Sequence, residues 1–286
     1  MRVDIGELRV HVVSDGGFKL DGGAMFGVVP KPLWNQKKPA DAENRIQMGT
    51  NCLLVEAGSE LILVDTGLGD KQDAKFQGIY AYESGAIRLP ESIRAAGFEL
   101  GDVTHVVLSH LHFDHCGWNT RRDTGGVVVP TFPKARYWLN RGEVEHARHP
   151  TERDRASYFP ENWQPLFDRG VVELFDDEGG PSDSVRAVKA PGHNADMCVV
   201  LLDGSAGGGE GAKAIFLADL VPTTAHVPLP WIMGYDLYPL TTLENKKKWL
   251  PRIASENWVC FFEHDYEMAV GRISSEKPGK FAAVSI

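Results

Sequence analysis

The chain has 286 residues, of which 43% are hydrophobic and 24% charged, so it is long enough to bury a large core. Lysine and arginine together number 30 and aspartate and glutamate 39, which gives a net charge of −9. Because no extended basic stretch offsets this acidic balance, binding to a nucleic-acid backbone is not expected.

The N-terminus and the cysteines indicate the compartment. Carboxylates stand where a signal peptide needs an apolar run, and no stretch of about 18 apolar residues marks a membrane span. The four cysteines are scattered singly: Cys52, Cys116, Cys198 and Cys260. Without a CxxC pair they predict free, mostly buried thiols. We therefore expect a cytoplasmic protein that has no membrane partner and acts on a small molecule.

The first 45 residues are predicted to form a strand and an apolar loop. Apolar alternation over residues 8–13 predicts a strand that ends in the turn-forming residues 14–17. Residues 22–39 are loop-like but rich in large apolar side chains, so they must pack against something. The sequence allows two interpretations of this segment. Met25, Phe26 and Trp34 can wall a substrate pocket, or the segment can contact a second copy in a homodimer.

The next elements are a hairpin, a helix and a buried strand. Apolar runs at residues 52–56 and 61–65 predict a β-hairpin. Its second strand leads into Asp65-Thr66-Gly67, where a carboxylate meets a glycine-rich loop. A helix near residues 90–96 then precedes a buried strand over residues 103–108.

The remaining pattern is also one of strands with interspersed helices. Strands are predicted at residues 135–139, 171–175, 185–190, 197–202, 212–217 and 258–262, and helices at about 141–149 and from 240 to Pro251, which should end or kink the helix. The glycine-rich residues 204–211 predict a hairpin tip. Since no repeat or linker interrupts the pattern, we expect a single α/β domain over residues 1–286 in which helices cover sheets.

Three histidines and an aspartate lie within six residues: His110, His112, Asp114 and His115. Alternate side chains of an extended segment point the same way, so His110 and His112 can bind one ion together. The following turn lets Asp114 and His115 face a second ion. Imidazole and carboxylate are ligands that Zn²⁺ and similar ions take, so the motif predicts metal binding.

Further ligands are needed to complete each ion's coordination, and three candidates follow other apolar runs. His193 comes after the strand at 185–190, Asp219 after that at 212–217, and His264 after that at 258–262. Ligands at the ends of several strands let one rigid scaffold fix several distances at once.

These elements, in this order, resemble the metallo-β-lactamase-fold hydrolases. The resemblance runs from about residue 50 to 265 and implies an αββα four-layer sandwich. It implies the following ligand set: His110, His112 and His193 on the first ion, Asp114, His115 and His264 on the second, and Asp219 bridging both. Asp65 matches the aspartate of the family's VDTG element, which supports the histidine ligands.

The resemblance also implies a binuclear hydrolase. Two divalent ions, Zn²⁺ or else Fe, Mn or Co, about 3.5–4 Å apart would activate a bridging hydroxide that attacks a carbonyl or phosphorus centre. Asp114 would orient this hydroxide and carry a proton to the leaving group, while Asp219 holds both ions.

The motif region is similar to that of the N-acyl-homoserine lactonases and of the organophosphate (methyl parathion) hydrolases. We therefore expect hydrolysis of a lactone or carboxylic ester, with phosphotriester hydrolysis as the alternative. The tyrosine that follows the bridging aspartate in the lactonases is missing here, and Thr223 or His226 takes its place as a candidate substrate contact. Alternatives of another class are a mono-iron oxidoreductase resembling the persulfide dioxygenases and a non-catalytic metal-binding protein.

Overall fold

The computed structural model describes residues 1–83, 85–205 and 212–286, and it shows an αββα sandwich. The α-helices are α1 Gly22–Phe26, α2 Lys31–Trp34, α3 Ala74–Ile79, α4 Leu89–Ala95, α5 Phe113–Cys116, α6 Arg141–Arg148, α7 Gln164–Asp168 and α8 Pro239–Ser255. None of the helices in these ranges is long and apolar enough to cross a membrane.

The N-terminal half of the chain forms one seven-stranded sheet, in the order β1-β2-β3-β4-β5-β8-β9. Its strands are β1 Arg2–Ile5, β2 Leu8–Asp21, β3 Arg45–Ala57, β4 Glu60–Val64, β5 His105–Val107, β8 Arg136–Asn140 and β9 Val172–Phe175. Strands β4, β5, β8 and β9 run parallel, so their carboxyl ends meet at one edge of the sheet. A separate ribbon pairs β6 Thr120–Arg122 with β7 Val128–Pro130.

The C-terminal half forms a second seven-stranded sheet, in sequence order from β10 to β16. Its strands are β10 Glu178–Ser182, β11 Val185–Lys189, β12 Cys198–Asp203, β13 Lys213–Phe216, β14 Val259–Phe261, β15 Val270–Lys277 and β16 Lys280–Val284. Of these described strands only β13 and β14 pair in parallel, and α8 is the crossover between them.

The main core lies between the two sheets. Apolar side chains of the first sheet, such as Val55 and Val64, are buried in one cluster with those of the second sheet, such as Val200 and Phe216. A second cluster buries the opposite face of the first sheet against α4, α6 and α7. Burial on both faces explains why several of these strands have continuous apolar runs rather than alternation.

Several sequence predictions are confirmed and others are wrong. All four cysteines are free and buried. Strand β2 does not end at residue 13; it continues to Asp21 through a bulge near Gly16, where glycine allows a φ of 85°. Helix α8 continues through Pro251 to Ser255, because Leu250 and Ile253 are buried on either side of the proline.

The predicted apolar loop at residues 22–39 contains α1 and α2. Strands β10, β15 and β16 have no predicted counterpart, and β15 and β16 alternate too weakly between apolar and polar residues to be recognised. Most of the predicted glycine-rich hairpin tip, residues 206–211, lies outside the described residues.

Candidate metal centre

The carboxyl edge of the parallel strands holds the HxHxDH motif. His110 and His112 follow β5 in an extended segment, and α5 begins at Phe113, which turns Asp114 and His115 back toward them. Asp65 follows β4 with a φ of 54°, a strained conformation for a residue with a side chain. The side chain of Asp65 accepts hydrogen bonds from the backbone N–H (2.7 Å) and the hydroxyl (2.5 Å) of Ser109, which joins the two loops.

The structure brings all seven predicted ligands together in two groups. The ligand atoms within each group lie within 4.8 Å of one another: His110, His112, His193 and Asp219 in the first, Asp114, His115 and His264 in the second. Asp219 reaches both groups, with Oδ2 3.1 Å from His193 Nε2 and Oδ1 3.4 Å from His264 Nε2. This placement suits a carboxylate that bridges two ions.

The chemistry of the donor set fits divalent ions. His112 Nδ1 lies 3.0 Å from His193 Nε2, and His115 Nε2 lies 3.1 Å from His264 Nε2. Ring nitrogens that converge in pairs present lone pairs to a common point, which a cation stabilises. Among the described residues, His110 Nε2 and Asp219 Oδ1 are buried without a hydrogen-bond partner. Such buried polar atoms are costly unless an ion or other partner compensates them.

Burial and charge set the protonation tendencies of the cluster. Burial lowers the pKa values of His110 and His112 well below the usual range, which favours the neutral imidazole that binds metal. Burial alone would raise the pKa of Asp219, but the neighbouring imidazoles of His193 and His115 outweigh it and the pKa is lowered. The carboxylate therefore stays ionised and available as a ligand.

In three of the histidine ligands, the Nδ1 atom contacts a carboxylate or a backbone carbonyl. His115 Nδ1 lies 3.0 Å from Asp65 Oδ2 and 2.8 Å from Glu263 Oε2. His193 Nδ1 lies 3.1 Å from Asp236 Oδ1, and His264 Nδ1 lies 2.9 Å from the carbonyl of Gly49. These contacts fix each ring so that Nε2 points into the centre.

Sequence reasoning missed Glu263 and Asp236. Glu263 stands directly before His264, and its acidity next to a ligand at a strand end was an available signal. Asp236 is separated from His193 by 43 residues and follows no apolar run, so only the folded chain reveals it. The Thr242 hydroxyl donates to Asp236 at 2.6 Å, which links this carboxylate to α8.

A glycine allows α8 to lie close to the segment that carries His193. A Cβ at Gly192 would lie 2.3 Å from the hydroxyl oxygen of Thr242, and the φ of 151° is also unfavourable for other residues. The Pro191-Gly192-His193 element therefore needs glycine to bring His193 close to the helix.

The two ligand groups form the floor of a cavity of about 340 Å³, a size typical of small-molecule sites. Its wall is mainly apolar, and the apolar side chains come from four separate segments: Leu20, Met25, Tyr80, Phe113, Met233 and Leu237 are among the lining residues. His112, Asp114, His193, Asp219 and His264 also line the cavity. The ligand cluster is therefore open to a bound molecule.

The predicted substrate contacts divide into one on the wall and four that lie behind it. Met25 lines the cavity, whereas Phe26, Trp34, Thr223 and His226 are buried and do not line it. Phe26 stacks between Trp34 and His226, with ring centroids 5.2 and 4.6 Å away. His226 contacts the Thr223 hydroxyl at 2.8 Å and the Met25 carbonyl at 2.8 Å. These four residues therefore pack behind the cavity wall in this structure.

Lys246 of α8 fixes another part of the wall. Its ammonium group donates to the carbonyls of His226, Pro228 and Trp231 at 2.7, 2.8 and 2.9 Å. Burial lowers the pKa of Lys246 to about 7, yet three acceptors match the three protons of the charged form. The residue thereby anchors the segment that leads into Met233 and Asp236.

Comparison with known proteins agrees with this fold. A model of the metallo-beta-lactamase superfamily matches residues 45–264, and the chain belongs to this superfamily. The clustered histidines and aspartates all lie within the matched range.

Two curated relatives have related activities. The chain is similar to an N-acyl homoserine lactonase of Bacillus thuringiensis, with 26% identity over 76% of this chain and 81% of the relative. It is also similar to a probable metallo-hydrolase of Mycobacterium tuberculosis, with 29% identity over 49% of this chain. That match spans 46%, or about half, of the mycobacterial protein's length.

Solved structures share the fold at low identity. A probable metal-dependent hydrolase from Staphylococcus aureus superposes with a TM-score of 0.87 at 24% identity, covering 99% of each chain. A dizinc quorum-quenching lactonase in complex with its product superposes with a TM-score of 0.78 at 23% identity, over 100% of this chain and 97% of that one.

Proposed function

We propose that the chain is a binuclear metal-dependent hydrolase that opens a lactone or cleaves a carboxylic ester. The observation that carries the proposal is the pair of ligand groups that share Asp219 at the floor of an apolar-walled cavity. The similarity to an N-acyl homoserine lactonase over most of both chains supports the same substrate class.

His110, His112 and His193 would hold one ion and Asp114, His115 and His264 the other, with Asp219 between them. When bound, the two ions lower the pKa of water and polarise the substrate carbonyl. Zn²⁺ is the ion that this mixture of imidazole and carboxylate favours, and the same donors also accept Fe, Mn or Co.

The chain's own residues complete the reaction. Asp114 lies on the cavity surface, so its carboxylate takes up the proton released in the attack and passes it to the leaving oxygen. Met25, Phe113 and Met233 bind the apolar part of the substrate and exclude bulk water from the reacting carbonyl. Asp65, Glu263 and Asp236 keep the histidine rings aligned during the cycle.

The test combines elemental analysis of the purified protein with a panel of lactones, aryl esters and a phosphotriester. Two divalent ions per chain, turnover of lactones or esters, and loss of that turnover on chelation are expected. His110→Ala should abolish the turnover, and His149→Ala, at an exposed histidine at the end of α6, should not.

Other outcomes would replace the proposal. Preferred turnover of the triester would make the protein a phosphotriesterase. A single iron with oxygen consumption would indicate an oxidoreductase resembling the persulfide dioxygenases. Unfolding on chelation without any turnover would indicate a metal-binding protein that is not a catalyst.

A further inference from the structure

Arg153 is a cation on the mainly apolar wall of the cavity. It lines the cavity and is exposed, whereas the ligand groups on the floor are buried, so Arg153 lies toward the solvent side. Its Nη2 donates to the carbonyl of Gly234, another lining residue, at 2.5 Å. This bond leaves the other N–H groups of the guanidinium without a partner in the part of the chain that the structure describes.

The carboxylates near Arg153 are engaged elsewhere. Asp154, which follows it and also lines the cavity, lies 2.5 Å from His146 Nε2 and accepts a hydrogen bond from the Thr151 hydroxyl at 2.6 Å. Asp114 and Asp219 belong to the ligand groups on the floor. Over the described ranges, no carboxylate forms an ion pair with Arg153. The guanidinium therefore borders the cavity without a carboxylate partner of its own.

The position of Arg153 indicates which part of a substrate would meet its charge. A molecule that places its reacting carbonyl on the floor and an apolar chain along Met25 and Met233 extends toward the solvent side of the cavity, where Arg153 lies. The planar guanidinium matches a carboxylate in geometry as well as in charge.

We propose that Arg153 is a specificity residue that selects lactones or esters bearing a carboxylate at the end remote from the scissile bond. This inference rests on the proposed hydrolase function and narrows it to anionic substrates. The carboxylate would take the N–H groups that Gly234 does not occupy. Neutral substrates of the same length would use the same apolar wall without this contact.

The test compares two para-nitrophenyl esters of equal length, the neutral pentanoate and the glutarate monoester, in which a carboxylate replaces the terminal methyl group. In Arg153→Gln we expect the ratio of kcat/KM values, anionic over neutral, to fall about fivefold, the size expected for a partly exposed charged contact. Arg153→Lys should restore part of the ratio. Added salt should lower the ratio in the wild-type protein but not in Arg153→Gln.

Arg155→Gln is the matched control, because Arg155 is an exposed arginine of the same segment that does not line the cavity. It removes the same net charge and should leave the ratio unchanged. An unchanged ratio in Arg153→Gln would overturn the inference while the hydrolase function stands. Equal losses for both esters would also overturn it, because they would mean that Arg153 only holds Gly234.

If the wild-type protein cleaves neither ester, binding decides the inference separately; the proposed function itself fails only if the lactones of the panel are not turned over either. The probes are then the methyl ketones that correspond to the two acyl groups, observed by ligand-detected NMR. Preferential binding of the anionic ketone that is lost in Arg153→Gln supports the inference. Equal binding of the two ketones overturns it.

Discussion

The floor of the cavity and its wall are fixed in different ways. On the floor, the three histidines His115, His193 and His264 each have a buried carboxylate or carbonyl behind the ring. The wall consists of side chains from separate segments, such as Met25 and Met233, that contact mainly other apolar groups. Directional bonds fix the floor, whereas packing shapes the wall. Changes to the floor should therefore affect chemistry and metal binding, and changes to the wall should affect substrate choice.

The largest effect is expected from Asp219→Ala, which removes the carboxylate shared by both ligand groups. We expect hydrolysis to fall by about a thousandfold, because both the ions and the reacting groups lose their common anchor. Elemental analysis should show a reduced metal content. Asp168→Asn, at an exposed position at the end of α7, is the control. Full metal content with full activity in Asp219→Ala would show that the two groups work independently.

Asp236→Asn tests the carboxylate that contacts Nδ1 of His193, and it leaves every predicted metal ligand in place. The amide keeps the shape of the side chain but weakens the charge-assisted contact with His193, so we expect metal affinity to fall about 10- to 100-fold. Competition with a chromophoric chelator measures this affinity. Thr242→Val removes only the hydroxyl that donates to Asp236 and should have a smaller effect in the same direction. Equal affinities in wild type and Asp236→Asn would contradict the role of this carboxylate.

Lys246→Met tests how far the wall depends on a buried cation. Three carbonyls would lose their donor, so we expect the free energy of unfolding to fall by about 3 kcal/mol, as measured with a denaturant. In the folded fraction, KM should rise more than kcat falls, because Met233 and its neighbours move while the ligands stay. Lys247→Met, at the exposed neighbouring position on α8, should change neither quantity. A larger change in kcat than in KM would place Lys246 with the floor instead.

Glu143 of α6, which contacts the backbone of the metal-ligand motif, makes the stability of the protein depend on pH. Burial raises the pKa of Glu143 to about 7 from 4.5, and its Oε1 accepts from the N–H of Leu111 between two of the histidines. The folded state then binds a proton that the unfolded state has released, so this contribution to stability is present below pH 4.5 and is lost as the pH rises to about 7.

Glu143→Gln mimics the protonated acid and removes this dependence. Between about pH 5 and about pH 8, the wild-type protein should lose on the order of 2 kcal/mol of unfolding free energy relative to the variant. Denaturant unfolding of both proteins at the two pH values measures the difference. Parallel pH profiles would show that Glu143 is ionised throughout this range.

The same difference between floor and wall explains which features the amino-acid sequence predicts well. The ligands follow strand ends and form a compact motif, so residues such as His110, His193 and Asp219 are identifiable from the sequence alone. The hairpin of β3 and β4 and the strand β5 are also predicted, because short apolar runs between turn residues are a strong local signal.

The wall is predicted poorly because its residues are adjacent only in space. Phe26 and Trp34 are predicted to contact substrate since they are large and apolar, but such side chains fill a core at least as well as a pocket. Arg153 and Tyr235 lie in segments without periodicity, and no local pattern marks them as lining residues. Composition indicates that an apolar segment must be buried; it does not indicate which of its faces meets the ligand.

The smallest effect is expected from Met25→Ala, which changes the wall alone. Met25 lines the cavity through a flexible side chain, and its removal lengthens the space above the ligand groups. For a short acyl ester we expect kcat/KM to fall about threefold through KM, because apolar contact with the acyl chain is lost. A longer acyl chain should recover the loss by filling the space. Val28→Ala, at the most exposed apolar position near α1, is the control. Loss of bound metal in Met25→Ala would refute the separation of floor and wall, since it would mean that packing around α1 also fixes the ligands.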